Sequence, residues 1–549
     1  MAGSQKKRLA GNATRKARGA LRHGGTTASS DARVRKFTDA SAGGGFDYLF
    51  PEAPDIRDLR IDLRALDALG EAMVEQPGDP VASNSISIPP VVTYAAQFVG
   101  HDIMSLGIVE PTLAGAGGQT KGPIERRHLR TQFVNLRRGS LSLDSLYDGP
   151  PHSEVDGGPE AAGRASGDPA LMEIPRWEES RTARRVPPTS EPRNGSNLIT
   201  HQFHLAMLRV HNRVALACDR GEVHALGRPA VFDWARRELC HLYQWLVLND
   251  LLKQVCGGEI VDDVLACAVP LYARFRAPEG GRSGPATVPI EFFGAAFRFG
   301  HSMVRGSYDY NAVMGHAPTG QGSLRNSAPL GLLLGTDEAL AEIDTLAKHH
   351  CPTGEVADLG IDWPRFTSAP SADHPDRAAR KIDTRISAAL SVPGLADDAD
   401  TAAPRHLACL NLRSGYRFNL PTGQAAIAGT NARLGRHITP LSPRELRSGP
   451  TGGAIGSGVL SRHTPLWFYL LKEAEVRAGG ETLGPLGARI VAETVAGLVQ
   501  SDPSSYWHRP GTDRGRWCPF DSAHLLGAPV RSFGDLLECA EAHSSDTEI

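Results

Sequence analysis

The chain is short of most of the features that announce a function. It has eight cysteines in 549 residues, Cys218, Cys240, Cys256, Cys267, Cys351, Cys409, Cys518 and Cys539, and none stands at CxxC or zinc-like spacing. Several lie in apolar helical contexts, where a free thiol behaves as a small hydrophobe. Reduced cysteines are therefore expected, and with them a cytoplasmic setting; release without a cleaved signal stays open. No apolar run near the start is long enough for a signal-peptide core, and none elsewhere approaches a membrane span. Neither sign of charge dominates, with 59 Lys and Arg against 61 Asp and Glu. The whole-molecule field thus gives no reason to expect nucleic acid or an anionic membrane as a partner. Strand signals are sparse, and there is no internal repeat at solenoid or propeller spacing.

What is present is mostly helix, punctuated by loops. Residues 1–45 form a basic leader, with Lys6, Lys7, Arg8, Arg15, Lys16, Arg18 and Arg22 among Gly, Ala and Ser, a composition that cannot bury a core and reads as a disordered arm. Order is expected from FDYLFPE at 46–52. Pro89-Pro90 is an entry stop for an apolar, helically spaced segment that carries His101. Residues 148–197 turn to Gly, Pro, Ser, Glu and Arg and read as a long surface excursion. Apolar stripes predict helices at about 198–218 and 232–256, and a further helix at 290–305 follows the GGRSGPA breaker. A second weakly structured insert covers roughly 366–404. Length alone would suggest more than one domain.

Two histidine segments stand out, QFVGHD at 97–102 and EFFGAAFRFGHSMVRGSYDYN at 291–311, with EPRNGSNLIT between them. In the second, a histidine sits in apolar, aromatic surroundings with an arginine three residues before it. That is how a haem-binding helix can place one iron ligand and one propionate partner. The pattern resembles the animal-type haem peroxidases of the peroxidase-cyclooxygenase superfamily, and their bacterial branch most closely. The resemblance continues through LITHQFHLAMLRVHNRVA at 198–215, LNLRSGYRFNLPTGQ at 410–424, TPLWFYLLKEAE at 464–475 and LGPLGARIVAETVAGLVQSDPSSYW at 483–507.

The resemblance implies a mainly α fold, one large helical haem-peroxidase domain at 46–535 with long loops and few strands, followed by a tail at 536–549. It overrides the prior from length. It aligns His301 with the proximal iron ligand and His101 with the distal base that moves a proton on bound peroxide. Arg193 aligns with the distal arginine that favours O–O cleavage, and Gln97, one helical turn before His101, with the distal glutamine that orders water or a small substrate. Asn411 aligns with the asparagine whose oxygen accepts the proximal histidine N–H, and Arg298 with a propionate partner. His201, His204 and His211 share one helix without a carboxylate at ligand spacing and read as structural.

The departures from the family are as informative. Gly100 and Ser196 stand where mammalian members have the carboxylates that form esters to haem, so a non-covalent haem b, extractable by acid and organic solvent, is expected. Asp102 and Asp144 match the family's calcium site, but LRRGSLSLDSLYDG puts Arg138 in place of a threonine and Ser142 in place of an aspartate. Two carboxylates of three imply weak or absent calcium, with Arg138 substituting electrostatically. The fatty-acid oxygenases of the superfamily carry a radical-forming tyrosine where this chain has Arg298, and Tyr308 and Tyr310 lie seven and nine residues past His301.

The function implied is a peroxidase that reduces hydrogen peroxide to water and oxidises a small-molecule donor, phenolic or halide, by one-electron steps. The alternatives are a fatty-acid oxygenase and a haem-binding sensor or carrier without turnover. Oligomeric state is left open.

Overall fold

The computed structural model describes residues 44–76, 84–108, 122–147, 164–165, 168–172, 191–195, 197–218, 227–267, 269–276, 286–316, 326–334, 360–391, 406–435, 437–512 and 515–541. The basic leader up to residue 43, most of the 148–197 excursion, Ser196, Cys351 and residues 392–405 of the second insert lie outside them.

The longer helices are Leu63–Met73 (α1), Val91–Ile103 (α2), Leu198–Cys218 (α3), Arg228–Leu246 (α4), Gly258–Ala266 (α5), Leu407–Arg417 (α6), Gly423–Leu434 (α7), Leu466–Ala478 (α8), Pro485–Ser501 (α9) and Phe533–Glu541 (α10). Strands are few and short: Gly45–Asp47 (β1), Leu106–Ile108 (β2), Phe133–Asn135 (β3), Arg164–Ala165 (β4), Asp168–Met172 (β5), Thr287–Pro289 (β6), Ser307–Tyr308 (β7) and Ala328–Pro329 (β8). They pair two by two, β1 parallel to β6 and the others as antiparallel neighbours. The expected mainly α architecture is the one found. No described helix is long and apolar enough to cross a membrane.

At the centre lies α9, in which every residue from Leu486 to Val499 is buried. A helix apolar nearly all round has to be covered on every side, and α5, α8 and the segment around His301 do so. Its N-terminal amides would be orphaned in such a place. The Glu473 carboxylate, projecting from α8, accepts from Leu486 N at 2.9 Å and Gly487 N at 3.3 Å. Around this axis α2 packs on α3, α3 on α4 and α10, and α1 crosses α6.

Three expectations need correction. The 232–256 helix begins earlier, at Arg228, because Gly227 and Pro229 make a helix start; it passes through a π-helical turn at Val247–Leu251 before ending at Cys256. The tail expected from 536 is, as far as Glu541, part of the core. Leu536 and Leu537 are fully buried against α3, and burial of a leucine stabilises by about 1.5–3 kcal/mol, so this segment docks. The expected 290–305 helix is broken into Ile290–Gly294, a 3-10 turn at Ala296–Phe299 and Gly300–Met303, with Ala295 at φ −143° and ψ −64° between the pieces.

Candidate active site

His101 stands on the last turn of α2, and the end of that helix is held from both sides. Asn135 on β3 donates to Ile103 O at 2.9 Å and accepts from Ser105 N at 2.8 Å. The Asp102 carboxylate accepts from Leu143 N at 3.1 Å and Ser145 N at 3.0 Å. The left-handed backbone at Leu143, φ 57°, lies between the two amides that face the same carboxylate. His101 itself is buried, with Nδ1 2.8 Å from Asn194 Oδ1. An amide oxygen only accepts, so Nδ1 carries a ring proton; in the neutral imidazole Nε2 is then the accepting nitrogen.

Arg193 is one residue away on the turn Pro192–Gly195. Its Nη2 donates to the His101 carbonyl oxygen at 3.0 Å, and Nε and Nη2 each donate to the Glu191 carboxylate at 2.9 Å. Glu191 also pairs with the fully buried Arg137. Burial alone would raise the Glu191 carboxyl, but Arg193 and Arg137 outweigh it and hold the group well below the usual carboxylate range. Gln97, one turn before His101, accepts at Oε1 from Asn197 Nδ2 (3.1 Å) and Thr200 Oγ1 (3.0 Å). The structure thus brings Gln97, His101 and Arg193 together.

The segment carrying His301 packs against α2: a Cβ placed on Gly100 would lie 3.3 Å from Phe297 Cε1. Any side chain at position 100 would have to displace that ring. The break at Ala295 is tied together by Arg298, whose Nε donates to Phe293 O at 3.0 Å. Arg298 Nη1 donates to Asn411 Oδ1 at 2.9 Å, and Asn411 Nδ2 lies 2.8 Å from His301 Nδ1. Arg298 is buried, and burial pulls its pKa down to about 10. Its Nη2 has no hydrogen-bond partner, which is costly for a desolvated cation unless an anion completes the site.

Asn411 touches His301 as expected but presents the opposite end. Its oxygen goes to Arg298, a pure donor, and its nitrogen faces His301, where the sequence reading had the oxygen accept the ring N–H.

At the expected calcium site, Asp144 accepts from Ser142 Oγ at 2.7 Å, and Arg138 Nε lies 3.9 Å from its carboxylate. A second cation, Arg137, also holds this loop: its Nη1 donates to Asp144 O at 3.1 Å while it pairs with Glu191. Asp102 is pushed up to about 7, first by burial and then by Asp144. Among the described residues, the one His/Cys/Asp/Glu group close enough to share a metal is Asp309, His316 and His374. Asp309 is already paired with Arg365 at 2.5 Å and Arg377 at 2.7 Å, which opposes a cation.

Tyr308 accepts from Arg305 N and stacks on Phe366, and Tyr310 accepts from Gln202. Of the three α3 histidines, His211 bonds Tyr147 Oη and Ala170 O. His204 does more than pack, since it reaches Asn194 and through it His101. Asn194 and Arg137 were missed in the sequence because each acts through partners distant along the chain, and Glu191 because its second partner, Arg137, is 54 residues away.

The fold is that of a large, mainly helical domain, with His101 and His301 on two segments that pack together. Residues 170–330, which include Arg193, Arg298 and His301, match the family model described as animal haem peroxidase. Among solved structures, peroxidase A from Dictyostelium discoideum is 14% identical over 91% of this chain and 93% of its own, with a TM-score of 0.56. The fatty acid alpha-dioxygenase of Arabidopsis thaliana is 10% identical over 92% and 79%, with a TM-score of 0.56. That of Oryza sativa is 13% identical over 88% and 81%, with a TM-score of 0.53. No curated protein matches by sequence. The family-model match thus covers one segment of the chain, and the solved structures share its fold; what the two have in common is the animal haem peroxidase family and its relatives. Members of that family bind haem.

Proposed function

We propose that the protein is a haem peroxidase that reduces hydrogen peroxide to water and oxidises a small donor, a phenol or a halide, in one-electron steps. The observation that carries this is the buried His101, its Nδ1 2.8 Å from Asn194 Oδ1 and its backbone carbonyl bonded by the guanidinium of Arg193. The donor set fits a haem: His301 would supply the iron ligand, and the unpartnered Nη2 of Arg298 would meet a propionate. When bound, haem supplies the redox chemistry.

The chain's own residues do the rest. His101 accepts a proton from peroxide at Nε2 and returns it to the departing oxygen, which leaves as water. Arg193 places positive charge where the leaving oxygen gathers electrons. Gln97, its oxygen held by Asn197 and Thr200, offers its amide nitrogen to water or a small substrate. Iron ligation through His301 Nε2 needs the ring proton on Nδ1, and that proton needs an acceptor. Asn411 Nδ2 faces that nitrogen, so Asn411 would provide the acceptor only with its amide turned to bring Oδ1 toward His301. With Gly at 100 and Ser at 196, no ester to the haem can form at those positions, so the haem is held non-covalently.

Arg298 also separates this reading from fatty-acid oxygenation, since a guanidinium cannot form the radical that a tyrosine there supplies. The test is turnover of peroxide and a phenolic donor by the haem-loaded protein. His101→Ala is expected to lower the rate roughly 10²–10⁴-fold with bound haem unchanged. Undiminished turnover by that variant would remove His101 from the mechanism.

A further inference from the structure

Asn194 is fully buried on the turn that also carries Arg193. Its Oδ1 is 2.8 Å from His101 Nδ1, and its Nδ2 is 3.1 Å from His204 Nδ1 and 3.4 Å from the carbonyl oxygen of Ser145. The carbonyl selects the orientation of the amide. Turned the other way, the amide oxygen would face Ser145 O, acceptor against acceptor. With the nitrogen toward Ser145 and His204, the oxygen has to face His101, and an oxygen there can be met only by a ring N–H.

The far end of the relay is equally settled. His204 lies on α3, is buried, and is kept neutral because burial pushes its pKa down to about 3. A neutral imidazole that accepts at Nδ1 carries its proton on Nε2. The chain His101 Nδ1–H to Asn194 to His204 Nδ1 therefore runs in one direction, with no donor facing a donor.

We propose that Asn194 is a positioning residue that holds His101 in the Nδ1–H tautomer, so that the nitrogen facing the reaction is the one able to accept a proton. The other tautomer would present an N–H where a base is required. When Nε2 takes up a proton, the same Asn194 oxygen receives a charge-assisted hydrogen bond from the imidazolium, stabilising the charged state. Arg193 and Asn194 are adjacent, so one short turn fixes both the cation and the tautomer. This inference rests on the reading of His101 as the proton-transfer base.

The experiment uses the full-length, haem-loaded, carbon-monoxide-ligated protein labelled with [15N]histidine, with His101 assigned by its loss in His101→Gln. In the wild-type protein His101 is expected to be protonated on Nδ1 and bare on Nε2. Asn194→Leu is expected to move the proton toward Nε2, whereas Asn194→Asp, which keeps an accepting oxygen, is expected to leave it on Nδ1. In parallel, the reaction with hydrogen peroxide should slow roughly 10–100-fold in Asn194→Leu, part of the range open to acid–base catalysis, and recover largely in Asn194→Asp at equal haem content.

A wild-type His101 protonated on Nε2 would overturn the proposal without any variant being needed. So would an Asn194→Leu protein that keeps the wild-type tautomer. If the tautomer responds as stated but neither Asn194→Leu nor His101→Ala slows the peroxide reaction, the positioning role stands and the base role of His101 falls.

Discussion

A single arginine, Arg298, faces three tasks at once. It closes the Phe293 carbonyl left open by the break at Ala295, holds the Asn411 oxygen, and keeps Nη2 unpartnered in a buried setting. A carboxylate arriving there gains a charge-assisted hydrogen bond worth about 1.5–3 kcal/mol, so Arg298→Leu is expected to weaken haem retention roughly 10–100-fold, read by titration of the apoprotein with haem. Retention at the wild-type level would show that the propionate is held elsewhere. His101, His301, Arg298 and Asn411 were legible in the sequence because each sits in a local segment with its own pattern. Glu191, Arg137 and Asn194 were not, because their meaning lies in pairing across 54 residues of chain for Arg137–Glu191 and 93 for Asn194–His101. Even where Asn411 was identified, the end it turns to His301 depends on the competing arginine, which spacing does not encode.

Helices α2 and α3 were readable from Pro89-Pro90 and from the stripe of LITHQFHLAMLRVHNRVALAC, since local stops and periodicity set them. The broken 290–303 segment was not, because AAFRFG has apolar residues at helical spacing and nothing local marks Ala295 as the break. Tertiary contacts decide it: Phe292 stacks on Phe297 at 4.6 Å and Arg298 takes the Phe293 carbonyl. Elements far from His301 also position the site. α6 carries Asn411 and lies against α1 at Gly70, where a Cβ would come within 2.6 Å of Cys409 Sγ and 2.8 Å of its Cα. Backbone cannot yield as a side chain does, so Gly70→Ala is expected to destabilise by about 1–3 kcal/mol and to lower both the thermal midpoint and haem occupancy. An unchanged midpoint would mean that the crossing has slack.

Over the whole molecule, burial leaves a signature in the dependence of stability on pH. Asp102, Glu291, Asp383, Glu473 and Glu493 are each pushed up to about 7, chiefly by burial. A carboxyl raised in the folded state binds its proton more tightly than in the unfolded chain, so its stabilisation is present at low pH and is lost as pH rises through about 7. His201 and His204, lowered by burial to about 4 and about 3, act in the opposite sense, costing stability as pH falls below the ordinary histidine value of 6.5. Below that value the two sets oppose each other; above it the carboxyls act alone. The thermal midpoint is therefore expected to fall between pH 6.5 and about 8, measured by calorimetry at fixed ionic strength, and a rise over that range would contradict the burial assigned to these groups. The same packing that imposes this cost carries the residues of the site, and the most direct test of their purpose is one mixing experiment. The absorbance of the ferric haem-loaded protein is followed after rapid mixing with hydrogen peroxide. The account expects a fast spectral change that reverses when a phenolic donor is added. A ferric spectrum that stays unchanged, with haem fully bound, would contradict it and leave the chain as a haem-binding protein without turnover.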